Sequence, residues 1–288
     1  MSRTRLQIYF FGLLFVIVFA PMRVTQAQES LTLETHPYLA ATELIKRFTP
    51  LANYLGKKIG RPVTVTITGN YQEHIDHIGN DKVDIAYMGP APYVRMVDLY
   101  GKKTVLARLE INDMPTYKGV IIVSKDSPIQ TLSDLVGKRF AFGDPASTMS
   151  HLVPRYMMRQ AGVTIDKLAG HAFLKNHHNV ALGVLLGNFD AGAVKEDVFD
   201  EYRQQGLKTL KKTPPISEHL FVVRKTLPPE TVVALRNALY DLKNDPEGPA
   251  IMTAVKENVT GIVPAIDSDY DNLRSILKTL KDITNQTE

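Results

Sequence analysis

The sequence predicts an α/β protein whose two lobes enclose a ligand cleft. Strand-like runs rich in Val and Ile alternate with helix-like segments along nearly the whole chain, which is typical of parallel sheets with crossover helices. Two interruptions, at residues 112–118 and 211–217, bracket an α/β block inside the chain. Two lobes joined by two crossing segments close like a clam, with ligands at the carboxyl ends of strands that face the cleft. We expect each lobe to be a mixed, mostly parallel sheet flanked by helices.

The interruptions set the expected lobe boundaries. We predict a first lobe from residues 28–115 and 214–288, and a second lobe from residues 116–213. Runs of β-branched residues mark the strands, and apolar residues three or four apart mark the helices. In the first lobe we expect strands at 31–33, 63–68, 83–88, 105–111 and 219–223 and helices at 40–59, 72–79, 92–100, 230–243 and 269–280.

The second lobe has the same alternation. After Pro228-Pro229, in contrast, the chain is predicted to contain only helix and loop. The expected elements of the second lobe are strands at 119–123, 138–143, 168–174 and 189–194 and helices at 132–136, through 156–158, at 179–186 and at 197–204.

The first 27 residues have the three parts of a secretory signal. Arg3 and Arg5 form the charged start, residues 8–20 are an uncharged apolar run, and Thr25-Gln-Ala27 offers small residues for cleavage. We therefore predict residues 1–27 to be a cleaved signal peptide. The alternative is a retained anchor, although 17 residues from Leu6 to Met22 is short for a membrane span.

Removal of this segment changes the charge balance of the chain. It carries three of the 34 Lys and Arg residues and no acidic residue, which leaves 31 basic against 30 acidic residues. The basic pI is therefore no argument for a nucleic-acid partner. The chain has no cysteine, which excludes disulfides, thiolate metal sites and a lipidated cysteine. An unanchored periplasmic protein fits these observations best.

The most informative segment is 143–155, with the sequence Gly-Asp-Pro-Ala-Ser-Thr-Met-Ser-His-Leu-Val-Pro-Arg. A strand ends here, Asp144-Pro145 turns the chain, and Ser147 and Thr148 fall where a helix begins. The first N–H groups of a helix lack partners within it and lie at the positive end of its dipole, so such a turn binds oxyanions. The alternative is that either hydroxyl is only an N-cap.

Three further segments place polar groups just after predicted strands, where cleft residues belong. Each segment is weak evidence alone. The alternative is that Tyr71 and Tyr93 are half-buried aromatic residues of the core and that His177-His178 begin a solvated helix. The segments are Thr68–Tyr71, Met88–Tyr93, and Asn176–His178 with Glu196-Asp197.

The sequence shows no machinery for catalysis. It lacks the Gly-x-Ser-x-Gly elbow of serine hydrolases, a phosphate-binding nucleotide loop and a dinucleotide fingerprint. The run from Glu73 to His77 does not match a zinc-binding His-Glu-x-x-His helix, and we expect His74 and His77 on the surface of an amphipathic helix. The chain is thus predicted to be no enzyme and to need no cofactor or metal.

Three motifs of this chain are shared with a known family. They are residues 82–93, residues 132–145 with Ser147-Thr148, and His177 followed thirteen residues later by Asp190-Ala-Gly-Ala193. With them the chain resembles the PhnD-like periplasmic phosphonate, phosphite and phosphate binding proteins of ABC importers, over essentially its whole length after residue 27. The resemblance implies the two-lobed fold of type II periplasmic binding proteins.

The resemblance also implies roles for individual residues, carried over by position. Ser147 and Thr148 would hold the phosphonyl oxygens, and His177 would donate from the opposite wall of the cleft. Tyr71 and Tyr93 would reach in from the first lobe.

Two positions qualify this assignment. The loop departs from the family's commoner Ser-Thr-Ser-Gly form, because Met149 and Ser150 follow Thr148. Ser150 replaces a hydroxyl there or a backbone N–H serves instead, and His151 is either a further donor or a helix-surface residue. Asp197 falls where the family has a carboxylate at the ligand. A carboxylate repels an oxyanion unless a proton lies between them, so Asp197 is expected to favour ligands with a P–OH or an ammonium group and to reject sulfate.

We therefore expect a monomeric periplasmic receptor that captures a small phosphorus oxyanion and delivers it to an ABC transporter permease. One alternative is a sensor subunit of the same fold that signals to a membrane receptor. Another is an enzyme built on this fold. The preferred phosphorus compound depends on the volume of the cleft, which is a property of the folded chain.

Overall fold

The computed structural model describes residues 29–284, with side chains described for residues 29–281. The predicted signal peptide lies outside these residues. Within them, no helix has the length and apolar character needed to cross a membrane.

Strands and helices alternate through most of the described chain. In chain order the strands are β1 Leu31–Thr35, β2 Val63–Ile67, β3 Ile85–Met88, β4 Thr104–Ile111, β5 Thr116–Tyr117, β6 Gly119–Ser124, β7 Arg139–Phe142, β8 Gly170–Phe173, β9 Ala191–Lys195, β10 Leu207–Lys212, β11 Ile216–Ser217, β12 Leu220–Val223 and β13 Val259–Val263. The helices are α1 Ala41–Ile59, α2 Tyr71–Gly79, α3 Pro90–Tyr100, α4 Val153–Gln160, α5 His177–Leu185, α6 Glu196–Tyr202, α7 Pro229–Asp241, α8 Gly248–Val255 and α9 Asp271–Thr284.

The strands form two larger sheets. The first has the order β13-β4-β12-β3-β1-β2 and the second the order β10-β6-β9-β7-β8. In the first sheet β1 pairs in parallel with β2 and β3, whereas the pairs involving β12 and β13 are antiparallel. In the second sheet β7 pairs in parallel with β8 and β9. The remaining two pairs of that sheet, made by β6, are antiparallel.

Both sheets are mixed, but parallel pairs do not outnumber antiparallel pairs in either of them. Two of the five pairs of the first sheet are parallel, and two of the four pairs of the second. The strands that follow the crossings, β6 and β12, make four of the five antiparallel pairs, and β13 makes the fifth with β4. Because β6 and β12 enter their sheets directly from the other lobe, without a crossover helix, they run antiparallel to their neighbours.

The strand β13 corrects a second expectation, since no strand was predicted after residue 228. Residues 259–263 read Val-Thr-Gly-Ile-Val, a short run interrupted by Gly261. Glycine weakens a strand, and the segment lies at the edge of the sheet, where it pairs only with β4. That pairing joins residues about 150 positions apart in the sequence, which no local pattern reveals.

The two sheets are linked by a pair of short antiparallel strands, β5 and β11, in which Tyr117 pairs with Ile216. The strands up to residue 111 and those from residue 220 onwards belong to the first sheet. The strands between residues 119 and 212 belong to the second. The link coincides with the interruptions at 112–118 and 211–217. Few residues cross between the sheets, which is the arrangement that allows hinge closure.

Apolar clusters pack on both faces of each large sheet. One cluster of the first lobe, beside α3 and α9, also contains Met149, which precedes α4, and Val153, the first residue of α4. The turn with Ser147 and Thr148 is therefore held against the first lobe, and it faces the junction of the lobes.

Candidate functional site

The second sheet brings three of the predicted segments to one edge. β7 lies between β8 and β9 and runs parallel to both. Ser147 and Thr148 follow β7, His177 follows β8 and Asp197 follows β9. Since the carboxyl ends of parallel strands meet at the same edge, these residues lie together on the side of the lobe that faces the junction.

Ser147 is the N-cap of a π-helical turn, Thr148–Leu152, which leads into α4. Its Oγ accepts a hydrogen bond from the N–H of Ser150 at 3.2 Å. The N-cap interpretation is therefore correct for this residue. It is compatible with anion binding, because an N-cap hydroxyl uses a lone pair and keeps its proton to donate.

Thr148 makes the contact that joins the turn to the first lobe. Its Oγ1 accepts a hydrogen bond at 3.0 Å from the N–H of Ala91, in the first turn of α3. The hydroxyl of Tyr117, on the linking strand β5, also lies near Thr148. Thr148 thus lies where both lobes and the link between them meet.

Ser150 and His151 are engaged within the second lobe. The Ser150 hydroxyl donates to the carbonyl of Ala193 in β9. The Nδ1 of His151 donates to the carbonyl of Pro145 at 2.7 Å, and its ring packs edge-on against Phe142 and Phe173. Both side chains are buried. The structure therefore gives them a role in holding the turn, rather than one of presenting donors to the cleft.

The contact of Ser150 explains the glycine at position 143. A Cβ atom on Gly143 would lie 2.6 Å from the Oγ and 2.8 Å from the Cβ of Ser150. We expect Gly143→Ala to lower the free energy of unfolding by roughly 1–3 kcal/mol, measured by urea denaturation, because the buried turn must shift. Gly170→Ala, at a position with no atom within 4 Å of the added Cβ, is the control. An equal loss in both variants would contradict the steric explanation.

Burial of His151 makes stability depend on pH. Removal from water lowers the pKa of this imidazole from 6.5 to about 4. The unfolded chain then binds a proton that the folded chain does not, so stability is complete above pH 6.5 and falls as the pH drops towards 4. We expect urea titrations across this range to show a shallower fall for His151→Gln than for the parent. Equal slopes would contradict this, and His178→Gln, at a half-exposed site, is the control.

His177 has the geometry of a neutral hydrogen-bond donor. It is 9% exposed, at the start of α5, and its Nδ1 accepts the backbone N–H of Lys195 at 3.1 Å. Burial, reinforced by the nearby Lys195 ammonium group, lowers the pKa of the ring well below its ordinary value. A neutral imidazole that accepts at Nδ1 carries its proton at Nε2. His177 is therefore equipped to donate from Nε2.

The facing wall belongs to the first lobe and includes a residue that the sequence reasoning missed. His36 follows β1, is 2% exposed, and its Nδ1 has no hydrogen-bond partner among the described residues. Its ring lies 4.6 Å from that of Tyr71 and 6.1 Å from that of His219. Thr68, directly after β2, also has a buried hydroxyl oxygen without a partner in the described chain. A ligand in the cleft is one group that would complete the bonding of these two atoms.

A signal for His36 existed in the sequence. The residues that follow the predicted strands at 63–68 and 83–88 are both candidate cleft residues. His36 follows the predicted strand at 31–33 in the same way. His36 was overlooked because no motif surrounds it. The parallel pairing of β1 with both β2 and β3 is what makes its position equivalent to theirs.

The two predicted tyrosines lie in different places. Tyr71, the first residue of α2, packs against His36 in the facing wall. Tyr93 is fully buried, and its hydroxyl donates at 2.8 Å to Asp267, while its ring lies 5.0 Å from that of Tyr270. Tyr71 therefore lies beside His36 in the wall that the first lobe contributes. The hydroxyl of Tyr93 is bonded to the segment before α9 instead.

Asp197 is not an isolated carboxylate. Its Oδ2 lies 3.0 Å from the Nζ of Lys256, and its Oδ1 accepts the N–H of Val198 at 2.8 Å. The Asp197 side chain is 45% exposed. Although its partial removal from water opposes ionisation, the ammonium groups of Lys256 and Lys195 hold the pKa of Asp197 well below its usual range. This contact removes the basis of the expectation that Asp197 repels an unprotonated oxyanion, because its charge is already paired.

Lys256 also contacts Glu218, which lies between β11 and β12. Its Nζ lies 3.4 Å from Glu218 Oε1, while Oε2 of Glu218 accepts the backbone N–H and the Nδ1 proton of His219. Glu218 is fully buried, yet these partners bring its pKa down to about 2 against the opposing effect of burial. Lys256 therefore connects a carboxylate of each lobe.

The site carries little net charge. The Nζ of Lys195 lies 5.2 Å from the ring centroid of Tyr38, across the junction of the lobes. Its charge and that of Lys256 balance those of Asp197 and Glu218. Burial lowers the pKa of His36, His177 and His219, which keeps these rings neutral. Neutral donors of the turn and of His177 are therefore available to an anion at this site.

His74 corrects an expectation about the surface. It is completely buried, with Nδ1 2.9 Å from a carboxylate oxygen of Glu34 and Nε2 3.1 Å from the carbonyl of Tyr87. His77, half-buried, contacts the other oxygen of Glu34 at 2.8 Å. The polar helix pattern at 71–79 predicted exposure. His74 is buried instead because the buried carboxylate of Glu34, on β1, requires hydrogen-bond donors.

The sequence comparisons agree with this architecture. A family model described as the periplasmic substrate-binding protein of phosphonate ABC transporters matches residues 33–270. The chain is 27% identical over 273 residues to the phosphate-import protein PhnD of Mycolicibacterium smegmatis, covering 86% of this chain and 85% of that one. It is 28% identical over 216 residues to the phosphonates-binding periplasmic protein of Escherichia coli, covering 72% and 64%.

Solved structures show the same fold. PhnD1 from Prochlorococcus marinus in complex with methylphosphonate has a TM-score of 0.78 at 24% identity, covering 88% of this chain and 98% of that one. A binding protein component of an ABC phosphonate transporter from Pseudomonas aeruginosa also gives 0.78, at 22% identity, covering 90% and 89%. The predicted two-lobed type II fold is confirmed. The chain belongs to the family of periplasmic substrate-binding proteins of phosphonate ABC transporters.

Proposed function

We propose that this protein captures a small phosphorus oxyanion, a phosphonate, phosphite or phosphate, in the cleft between its lobes and delivers it to an ABC transporter permease. One observation carries the proposal above all. At the shared edge of the second sheet, Ser147 and His177 both use a lone pair for an internal hydrogen bond. Each therefore keeps a proton that it can donate to a bound ligand.

Each wall contributes to the proposed binding. From the second lobe, the Ser147 and Thr148 hydroxyls and the N–H groups of the helix start hold the phosphonyl oxygens, and His177 donates from Nε2. From the first lobe, Tyr71 and the unpartnered nitrogen of His36 complete the enclosure. Ser150 and His151 support the turn, and Tyr93 supports the packing of α3.

The strength of binding follows from several donors acting together. A hydrogen bond to a charged group contributes about 1.5–3 kcal/mol net. Micromolar affinity corresponds to about 8 kcal/mol. About four convergent donors therefore suffice without any arginine. This agrees with the near-neutral charge of the four ionised side chains at the site.

Isothermal titration calorimetry of the purified protein tests the proposal. The ligands are phosphite, phosphate, methylphosphonate, 2-aminoethylphosphonate and sulfate, which differ in size, protonation and amine content. We expect at least one phosphorus oxyanion to bind with a dissociation constant in the micromolar range or below. Absence of binding by all four phosphorus compounds would contradict the proposed function.

The remaining parts of the proposal concern the whole chain. We propose that residues 1–27 are removed on export and that the mature protein is a monomer without catalytic activity or nucleic-acid partner. Residues 28–115 and 214–288 form one lobe in this proposal, and residues 116–213 the other. N-terminal sequencing of the exported protein should begin at Gln28, whereas a chain that still carries the first 27 residues indicates a retained anchor.

A further inference from the structure

The ion cluster formed by Asp197, Lys256 and Glu218 joins the two lobes. Asp197 follows β9 of the second sheet, whereas Glu218 precedes β12 of the first. Lys256 comes directly after α8, and its side chain is 18% exposed. Its Nζ lies 3.0 Å from Asp197 Oδ2 and 3.4 Å from Glu218 Oε1. One ammonium group thus lies between two carboxylates that come from opposite walls.

The other oxygens of both carboxylates are already bonded. Asp197 Oδ1 accepts the Val198 N–H at 2.8 Å. Glu218 Oε2 accepts from the N–H and the Nδ1 of His219, at 2.7 and 2.8 Å. The two oxygens that converge on Lys256 have no other hydrogen-bond partner in the described chain. Two converging carboxylate oxygens are the arrangement that binds a primary ammonium group.

The cluster lies at the proposed ligand site. Asp197 is two residues beyond Lys195, whose backbone N–H bonds His177. The charges of Asp197 and Lys195 act on His177, and those of Glu218 and Asp197 act on Tyr117. The cluster therefore lies within reach of a short substituent on a ligand held by Ser147 and His177.

We propose that Lys256 is a specificity-determining residue, whose ammonium group occupies the place that the amine of an aminoalkyl ligand would take. The cleft then selects phosphorus oxyanions that carry no cationic amine. This inference rests on the proposed function and narrows its ligand class.

Charge balance gives the physical reason. Lys195 and Lys256 together match Asp197 and Glu218, so an added ammonium group would find no free carboxylate and would have to displace Lys256. Lys256 is only 18% exposed, and removing a largely buried ammonium group from its carboxylate partners costs free energy. Without Lys256, the same two carboxylates would attract an amine, and their repulsion of the oxyanion would no longer be offset.

The test compares methylphosphonate with 2-aminoethylphosphonate, two phosphonates that differ by an aminomethyl group. Dissociation constants are measured by calorimetry for the parent and for Lys256→Met and Lys256→Gln. We expect the parent to bind methylphosphonate more tightly. Both variants should shift the ratio of the two affinities towards 2-aminoethylphosphonate by at least about tenfold, the effect of one hydrogen bond to a charged group.

Two further variants separate specificity from structure. Lys212→Met removes an exposed ion pair with Glu196, the residue beside Asp197, and should leave the ratio unchanged. Adding Asp197→Asn to Lys256→Met removes one of the two carboxylates and should reverse part of the shift. If Lys256 served only to bridge the lobes, its removal would weaken both ligands equally.

The outcomes distinguish this inference from the proposed function. A parent protein that binds no phosphorus compound overturns the proposed function. A parent that binds methylphosphonate, with an unchanged ratio in the Lys256 variants, overturns only the role of Lys256. A parent that already prefers 2-aminoethylphosphonate overturns it as well, and this measurement requires no variant to fold.

Discussion

Replacing His177 with phenylalanine is expected to lower the affinity for the phosphorus oxyanion about ten- to a hundredfold. The benzene ring fills the buried space of the imidazole but has no Nε2 proton to donate, and a hydrogen bond to a charged acceptor contributes about 1.5–3 kcal/mol. The variant also leaves the Lys195 N–H, now bonded to Nδ1, without an acceptor. Calorimetry with the ligand that the parent binds most tightly measures the change.

The neighbouring histidine is a matched control for this prediction. His178 is a half-exposed residue of the same helix turn, with contacts to Glu201 and Tyr202, so His178→Phe should change the affinity by less than about twofold. His177→Gln should recover part of the loss, because the amide accepts from Lys195 and donates to the ligand. Equal affinities for His177→Phe and the parent would exclude His177 from the site.

Thr148→Ala is expected to lower the affinity at least tenfold. The substitution removes a hydroxyl from the anion-binding turn and also the acceptor of the Ala91 N–H, which joins the two lobes. A closed, liganded protein would then lose one bond to the ligand and one between the lobes. Calorimetry gives the affinity, and small-angle scattering with and without ligand shows whether closure is affected.

Two substitutions at this position separate hydroxyl chemistry from shape. Thr148→Ser keeps the hydroxyl and should bind within about threefold of the parent, whereas Thr148→Val keeps the shape and should behave like alanine. Unchanged binding by both Thr148→Ala and Thr148→Val would show that the turn does not hold the anion. Chemical denaturation of each apo variant controls for loss of fold.

Much of the architecture follows from local patterns. The alternation of β-branched runs with amphipathic segments located most strands and helices to within a few residues. The strand β13 was missed because a five-residue edge strand containing Gly261 takes its stability from β4 rather than from its own sequence. His74 was misjudged for a related reason, since only the buried Glu34 on a distant strand explains its burial.

The sequence by itself determined the fold class, the turn at Ser147 and Thr148, and the positions of His177 and Asp197 after successive strands, because strand ends and helix starts are written in local residue patterns. Tertiary structure decided which groups still have a proton to donate. It turned Ser150 and His151 inward, engaged Tyr93 with Asp267, and placed His36 beside Tyr71. It also placed Lys256 between carboxylates that precede it by 59 and 38 residues. Ion pairing depends on distances of a few ångströms between segments far apart in the chain, and only folding sets those distances.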